Sequence, residues 1–564
     1  MDKHNKKVLW ALSIILSGTL VGVESQAQVP ISPEIPPPEI PPLLPPPEDL
    51  LPIPTPPVSQ PDEPATTIPG TITVNRFNFE GNTAFSNEQL AEVTAPYTGR
   101  PLSFAELLAA RSAVTQLYVD NGYLTSGAFI PPQEFQGGVV TIDILEGTLE
   151  DINVEVEGRL SPDYVGSRLK IAGGKPLNVP KLLEALQMLQ LSPLIENISA
   201  ELAAGIRSGT SSLQVKVISA NTFSAEVILD NGRSPAVGSF RRIVSVGEGN
   251  VFGIGDRFDI SYRNTDGSDD LELGYNIPLT ASNTTLNLGY RYISAEIIES
   301  PFDVLDIESE YVKYEGGIRQ PLLQNPNQEL AIGLSFDYQD TETTLLGEPF
   351  AFPFSGANDE GENRVSSLRF YQEWLARTEQ QVISARSQFS FGINAFDNVT
   401  QAEPPDSLYF SWRGQAQWVR LLAADTVLLA RSELQIADTA LVPIEKYSLG
   451  GLGTVRGYRQ DVLLTDNAFF ASIEARFPIY RQEEKEVVLQ IVPFFDFGTG
   501  WNNSGSPELE EDQTLASLGL GLQFQVSDNF TARLDWGIPL IEVDTGDGTW
   551  QENGILFTIR ISPF

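Results

Sequence analysis

The sequence predicts an all-β transmembrane barrel of about sixteen antiparallel strands preceded by two small α+β domains. The first of three supporting observations is a train of alternating segments through roughly the last 340 of 564 residues. Leu271, Leu273, Tyr275, Ile277 and Leu279 alternate with Glu272, Gly274, Asn276 and Pro278, and Leu518, Leu520, Leu522, Phe524 and Val526 alternate with glycines and glutamines. Successive strand side chains point to opposite faces, so each segment has one apolar and one polar face. A soluble sandwich would bury the apolar faces together, whereas a membrane barrel turns them to lipid around a wet lumen. An export signal and the parity of the connections choose the barrel.

At the N-terminus Lys3, Lys6 and Lys7 precede an apolar run from Val8 to about Val23 and then Ser25-Gln26-Ala27, so residues 1–27 read as a secretory signal peptide. No later stretch approaches the ~18 consecutive apolar residues of a membrane helix. The chain has no cysteine, hence no disulfide, thiolate metal site or thiol nucleophile, and its one histidine, His4, lies in the signal. Residues 28–70 are dominated by proline, as in Ile35-Pro36-Pro37-Pro38, and read as an extended periplasmic linker.

Residues 71–147 read as strand, two helices, strand, strand. Ser103 with Glu106 makes a capping box, and Leu107, Ala110, Val114, Leu117 and Tyr118 follow at helical spacing. Residues 148–220 repeat the plan, with Ile152, Val154 and Val156 opening, an amphipathic helix through Leu182, Leu183, Leu186 and Leu189, and Leu213, Val215 and Val217 closing. Residues 221–564 are the barrel. Strands are expected near 224–230, 240–247, 256–264, 270–279, 284–293, 310–320, 329–338 and 364–375. The series continues near 381–394, 407–420, 426–437, 468–478, 487–498, 515–526, 529–539 and 554–564. Connections after odd strands are mostly long (339–363, 438–467, 499–514), and those after even strands mostly short (376–380, 421–425, 527–528). Short periplasmic turns and longer external loops are the pattern of an outer-membrane barrel. Six of the seven tryptophans lie here and are expected in aromatic girdles at the interfaces.

Removing the signal takes away three lysines and two acids and leaves 33 basic and 72 acidic side chains, a balance that argues against nucleic-acid partners. The acids concentrate in the external connections, as at Asp340 to Glu348 and Glu508 to Asp512. No metal cluster, cofactor motif or catalytic constellation is present; Gly451-Leu452-Gly453 resembles a nucleotide loop only superficially, because no strand–helix unit follows. Without histidine the usual hydrolytic triad is excluded.

Gly122-Tyr123, Thr125-Ser126, Pro132-Gln133, Gly138 and Glu146-Gly147 resemble the closing signature of a ShlB-type POTRA domain. Val455-Arg456-Gly457-Tyr458 is similar to the tip of the in-folding loop of the BamA/two-partner-secretion superfamily, and Phe495-Asp496-Phe497-Gly498 to the strand motif that receives it. With the loop between strands eleven and twelve, the chain is identified as a member of the TpsB-type (ShlB/FhaC-like) transporters. That resemblance implies an outer-membrane translocation pore, not an enzyme, with POTRA domains in the periplasm that capture an unfolded exoprotein. Implied partners are a secreted TpsA-like cargo, outer-membrane lipid and the barrel-assembly machinery for its own insertion, with the transporter a monomer or weak dimer. The alternative is a BamA-like assembly factor, which usually carries more POTRA modules than the two that fit here. Two departures stand out: residues 28–70 hold too much proline for the family's plug helix, and Pro563 puts the terminal Phe564 out of phase.

The lock itself follows from residue chemistry. Alternation puts Val487, Leu489, Ile491, Phe495 and Phe497 on the lipid face and Asp496 and Gly498 on the lumen face. The planar fork of Arg456 is suited to bidentate pairing with Asp496; Gly457 permits close backbone approach, and Tyr458 supplies an amphipathic anchor.

Overall fold

The computed structural model describes residues 50–51, 71–134, 137–207, 209–504, 513–543 and 548–563. The signal, nearly all of the proline-rich segment, the acids of 508–512 and Phe564 fall outside these residues. Two compact units divide near residue 221.

In the N-terminal unit, the first module has a three-stranded sheet in which Val139–Leu145 lies between Arg76–Glu80, parallel, and Gly127–Phe129, antiparallel. Helices α1 (Asn87–Thr94) and α2 (Phe104–Asp120) both begin in capping boxes, Ser86 with Gln89 and Ser103 with Glu106. The Ser103 amide, with Arg100 beside it, holds the Glu106 carboxyl down to about 2. Alternation on the strands and helical spacing on α2 converge in one core: Val140, Ile142 and Ile144 pack with Leu107, Val114 and Tyr118.

The second module repeats the sheet, with Thr210–Ser219 between Thr148–Glu157 and Ile195–Ala204. It has two helices, α3 (Pro162–Gly173) and α4 (Val179–Gln190). The sequence reading expected two helices here and placed residues only on the second. Helix α3 carries its own signals, an N-cap at Ser161 and Pro162 in the first turn, but buries just Val165, Leu169 and Gly173. Leu50 and Leu51 are also buried in this module's core, which corrects the reading of residues 28–70 as spacer throughout. Two buried leucines contribute roughly 1.5–3 kcal/mol each, enough to anchor the segment here. The modules are joined by backbone: Val179 N–H donates to Gly122 O (3.0 Å) and Leu177 N–H to Gly147 O (2.7 Å).

The second unit is a closed antiparallel barrel of sixteen main strands, from Phe223–Asp230 to Ile555–Ile561, which pair with each other to close it. Connections after odd strands include 346–361, 394–409, 438–466 and 540–554, against 326–327, 379–380, 424–425 and 527–529 after even ones. Two expectations are corrected. The sixth and seventh strands, Ile307–Asn325 and Gln328–Leu345, run well past their predicted ends and absorb much of the acidic segment around Asp340. The ladder there is continuous, from Ile307 opposite Leu345 to Glu315 opposite Asp337. The last strand stops at Ile561, because Pro563 has no N–H for a ladder.

Leu518, Leu520, Leu522 and Phe524 are exposed on the outer face, as are Trp374, Trp536 and Trp550. Among the described residues no helix is long and apolar enough to cross a membrane; crossing falls to the strands. Protease added to intact cells is expected to cut, if anywhere, within 346–361 or 502–512, read as fragments on a blot. Cuts confined to 279–284 or 379–380 would reverse the orientation.

Candidate functional site

The connection between the eleventh strand, Thr426–Ala437, and the twelfth, Asn467–Gln482, returns into the barrel as a short hairpin, Tyr447–Leu449 paired with Leu463–Thr465. Its residues Ile444, Leu452 and Arg456 line the central cavity. At the tip, Arg456 Nε lies 2.8 Å from Asp496 Oδ2 and Nη2 lies 2.9 Å from Oδ1, a bidentate pair. The Arg456 amide adds a third bond to Asp496 Oδ2 (3.1 Å), and Nη1 reaches Glu474 Oε2 (2.8 Å). Below it the Phe494 ring lies 3.6 Å from the guanidinium carbon. Arg456 is 3% exposed and Asp496 0%, so the pair is largely desolvated.

Backbone geometry around the tip is equally tight. Gly457 has φ +96° and sits against Gly537 of the fifteenth strand; a Cβ on Gly537 would come within 2.6 Å of Gly457 Cα. Tyr458 Oη lies 2.8 Å from the Ala516 carbonyl and 2.9 Å from that of Ile541. Val455 is buried, and a Cβ on Gly498 would meet its Cγ2 at 2.8 Å. The structure thus brings all six loop-motif residues, Val455, Arg456, Gly457, Tyr458, Asp496 and Gly498, to one place.

Sequence reasoning missed the rest of the network. Glu474 also binds Arg533 Nη2 (2.9 Å) and Arg476 Nη2 (2.8 Å), Arg533 Nε binds Asp535 Oδ2 (2.7 Å), and Ser472 Oγ donates to Asp496 Oδ1 (2.6 Å). The signal was available: Ser472 and Glu474 alternate with lipid-facing residues as Asp496 does. What alternation lacks is the register between strands, which sets Ser472 opposite Asp496. Further clasps hold the loop. Glu445 Oε1 is 2.7 Å from Arg369, which also binds Asp337 (2.5 Å); Lys446 pairs with Asp466 (3.3 Å), and Arg459 with Glu299 and with Glu552 (3.2 Å).

The POTRA-signature residues divide between the inside of the first module and its junction. The Glu146 carboxylate accepts from the Thr83 and Ala84 amides (2.6 and 2.8 Å), the Thr83 hydroxyl and Tyr118 Oη (2.8 Å). Tyr123 packs edge-on to Tyr118 and Phe85. Gln133 brackets Thr141, accepting from its amide and donating to its carbonyl, both at 2.7 Å. Gly138 O receives the Asn75 amide (2.7 Å), and Gly147 leaves room for Thr125, whose Oγ1 a Cβ would meet at 2.0 Å. Gly122 lies at the junction, where a Cβ would strike the Pro180 ring at 2.7 Å. Pro132 is exposed, directly before Gln133.

Burial raises the Glu146 pKa, but the Thr83 hydroxyl and the Ala84 and Thr83 amides outweigh it and hold the carboxyl below the usual range. A lowered folded-state pKa adds stability above the ordinary glutamate range that is lost as pH falls through the lowered value. Glu146→Gln is expected to cost about 1–2 kcal/mol at neutral pH, discounted for partial exposure, and to flatten that acid dependence. Hydrogen exchange at the Thr83 and Ala84 amides in the full chain measures both; unchanged protection would refute the assignment.

A barrel with a loop pinned in its lumen, preceded by two α+β modules, defines a class of outer-membrane transporter. A family model described as haemolysin secretion/activation protein ShlB/FhaC/HecB matches residues 209–524, and one for the ShlB-type POTRA domain matches 72–147. The chain therefore belongs to the ShlB/FhaC/HecB family. It is 23% identical over 471 residues to the heme/hemopexin transporter protein HuxB of Haemophilus influenzae strain 86-028NP, covering 80% of each chain. Over 492 residues it is 22% identical to the outer membrane transporter CdiB of Escherichia coli O6:K15:H31, covering 84% of this chain and 80% of that one. The structure of CdiB from Escherichia coli superposes with a TM-score of 0.68 at 19% identity, covering 90% and 93%. That of BamA from Haemophilus ducreyi lacking POTRA domains 1–3 gives 0.53 at 15%, covering 87% and 100%. The protein is an outer-membrane transporter of the two-partner secretion type, acting with a secreted exoprotein and carrying its POTRA domains in the periplasm.

Proposed function

We propose that the exoprotein passes unfolded along the barrel axis, and that the Arg456–Asp496 pair holds the loop as a lock that must shift to admit it. The observation carrying this reading is a desolvated ion network at the loop tip beside a polar cavity of about 1340 Å³. Capture begins in the periplasm by strand addition to open sheet edges. Ile195–Ala204 is such an edge, ten residues long, with Gln190 covering it at Glu196 and Ile198; in the first module Gln133 covers Thr141 in the same way. The chain supplies no covalent chemistry or energy source, and folding of the cargo outside biases the direction. Lipid around the outer band, the barrel-assembly machinery for insertion and a monomeric or weakly dimeric state complete the reading.

An assembly factor of the BamA kind would instead open the seam between the first and last strands. Four residue pairs close that seam, and Asn231 adds a clamp, donating to Ile555 O (2.9 Å) and accepting from Phe557 N (2.8 Å). Val227 and Ile561 are direct partners across it, and the chain has no cysteine. Directly opposed antiparallel positions bring Cβ atoms within disulfide reach. With Val227→Cys and Ile561→Cys oxidised, export should persist at near wild-type level, measured as extracellular exoprotein. Loss of export restored by reductant would refute axial passage.

A further inference from the structure

Thirteen arginine and lysine side chains line the central cavity, against eight aspartates and glutamates. The whole chain has 36 basic and 74 acidic residues and a net charge of -38. More than a third of the cations, and about a ninth of the acids, therefore surround this one space. Four more carboxylates, Asp270, Glu329, Asp337 and Asp496, pair from the wall with lining arginines without lining the cavity themselves. Counting them leaves thirteen cations against twelve carboxylates.

Two of the lining cations, Arg413 and Arg431, lie beside aromatic rings. Arg431 Nε has no hydrogen-bond partner among the described residues, and its guanidinium lies 5.6 Å from the Phe470 ring centroid. Arg413 donates to Gln435 Oε1 (2.9 Å) and lies 5.2 Å from the Tyr447 ring centroid. Low-dielectric walls focus such a field along the lumen. The acidic external connections act over a Debye length of about 8 Å at physiological salt, so they do not cancel it inside. Guanidinium groups keep their charge across the physiological range.

We infer that the lumen is an electropositive corridor that selects anions, and that it takes the exported chain by its acidic unfolded stretches. This rests on the pore reading above, and the test separates the two. The full-length protein is placed in planar bilayers under a tenfold KCl gradient, and the sign of the reversal potential is read. The expected result is chloride preferred over potassium by roughly twofold or more, with polyglutamate on the periplasmic side blocking the current and polylysine leaving it unchanged. Arg413→Glu with Arg431→Glu should bring the permeability ratio close to one. Arg431→Gln alone, which keeps the barrel interior polar, should lower the ratio in the same direction. Conductance without anion preference, or block by polylysine instead, overturns this inference and leaves the pore standing. No conductance from heat-resistant, folded barrel overturns the pore reading and this inference with it.

Discussion

Arg456→Ala is expected to cut export of the exoprotein by tenfold or more while the barrel stays resistant to heat on a gel. Removing the guanidinium leaves Asp496, Glu474 and the carboxylate of Asp535 in a desolvated wall with fewer cations. Breaking one side of such a pair costs about 3–5 kcal/mol, and that cost falls on the seated position of the loop. The sixteen-strand ladder is untouched, so folding survives. Asp496→Ala should have the smaller effect, because Arg456 keeps Glu474 at 2.8 Å. Arg456→Lys retains the charge and loses the bidentate geometry, so it should fall between wild type and alanine. The two alanine substitutions together should cost less than the sum of each, since both remove one interaction. Exchanging the charges, Arg456→Asp with Asp496→Arg, should restore only part of the export, because Glu474 and Asp535 remain fitted to a cation at the loop tip. Export assays on the singles and the double decide it. Fully additive losses would mean that the residues act separately, with Arg456 meeting the cargo directly.

Deleting residues 440–465 is expected to raise single-channel conductance severalfold and to make it noisy. The segment carries Ile444, Glu445, Leu452 and Arg456 into the cavity lining, so its removal widens the conducting path. The wall should tolerate the loss. Glu474 and Asp535 keep Arg533, and Glu474 keeps Arg476, at 2.7–2.9 Å, so two wall carboxylates remain paired. The exception is Asp496, which loses Arg456 and keeps the Ser472 hydroxyl (2.6 Å), whereas Asp337 keeps Arg369 (2.5 Å) when Glu445 goes. An unchanged conductance in planar bilayers would place the loop outside the path and refute its role as a plug.

Much of this protein was legible in its residues. A strand of period two facing lipid writes its two faces into the sequence, so the alternation of Leu518 to Val526 and of Val487 to Phe497 located strands and told lumen from membrane. The capping box at Ser103 and the helical spacing from Leu107 to Tyr118 worked for the same reason: each depends on neighbours within one turn. The Val455–Tyr458 motif was legible through its place between strands eleven and twelve. Helix α3 was harder to read, because it buries only three residues and its signal lies in the cap. Strand ends were also illegible, since hydrogen bonding depends on a partner strand and leaves no mark on either sequence alone.

Local pattern therefore determined the barrel strands and the tandem modules, because each is set by contacts between residues close in the chain; the loop motif was legible through its resemblance to the superfamily's tip motif. Tertiary structure alone decided which charges meet. Glu474, Asp496 and Arg533 lie on three different strands, and only barrel register and closure bring them around Arg456. The same holds for Leu50 and Leu51, whose burial depends on a core built from residues 160–217. It holds too for the lumen's positive charge in a chain of net charge -38. Composition sums charge over the molecule, whereas closing a sheet into a barrel sorts alternate residues inward and outward, and that sorting is a property of the closed sheet.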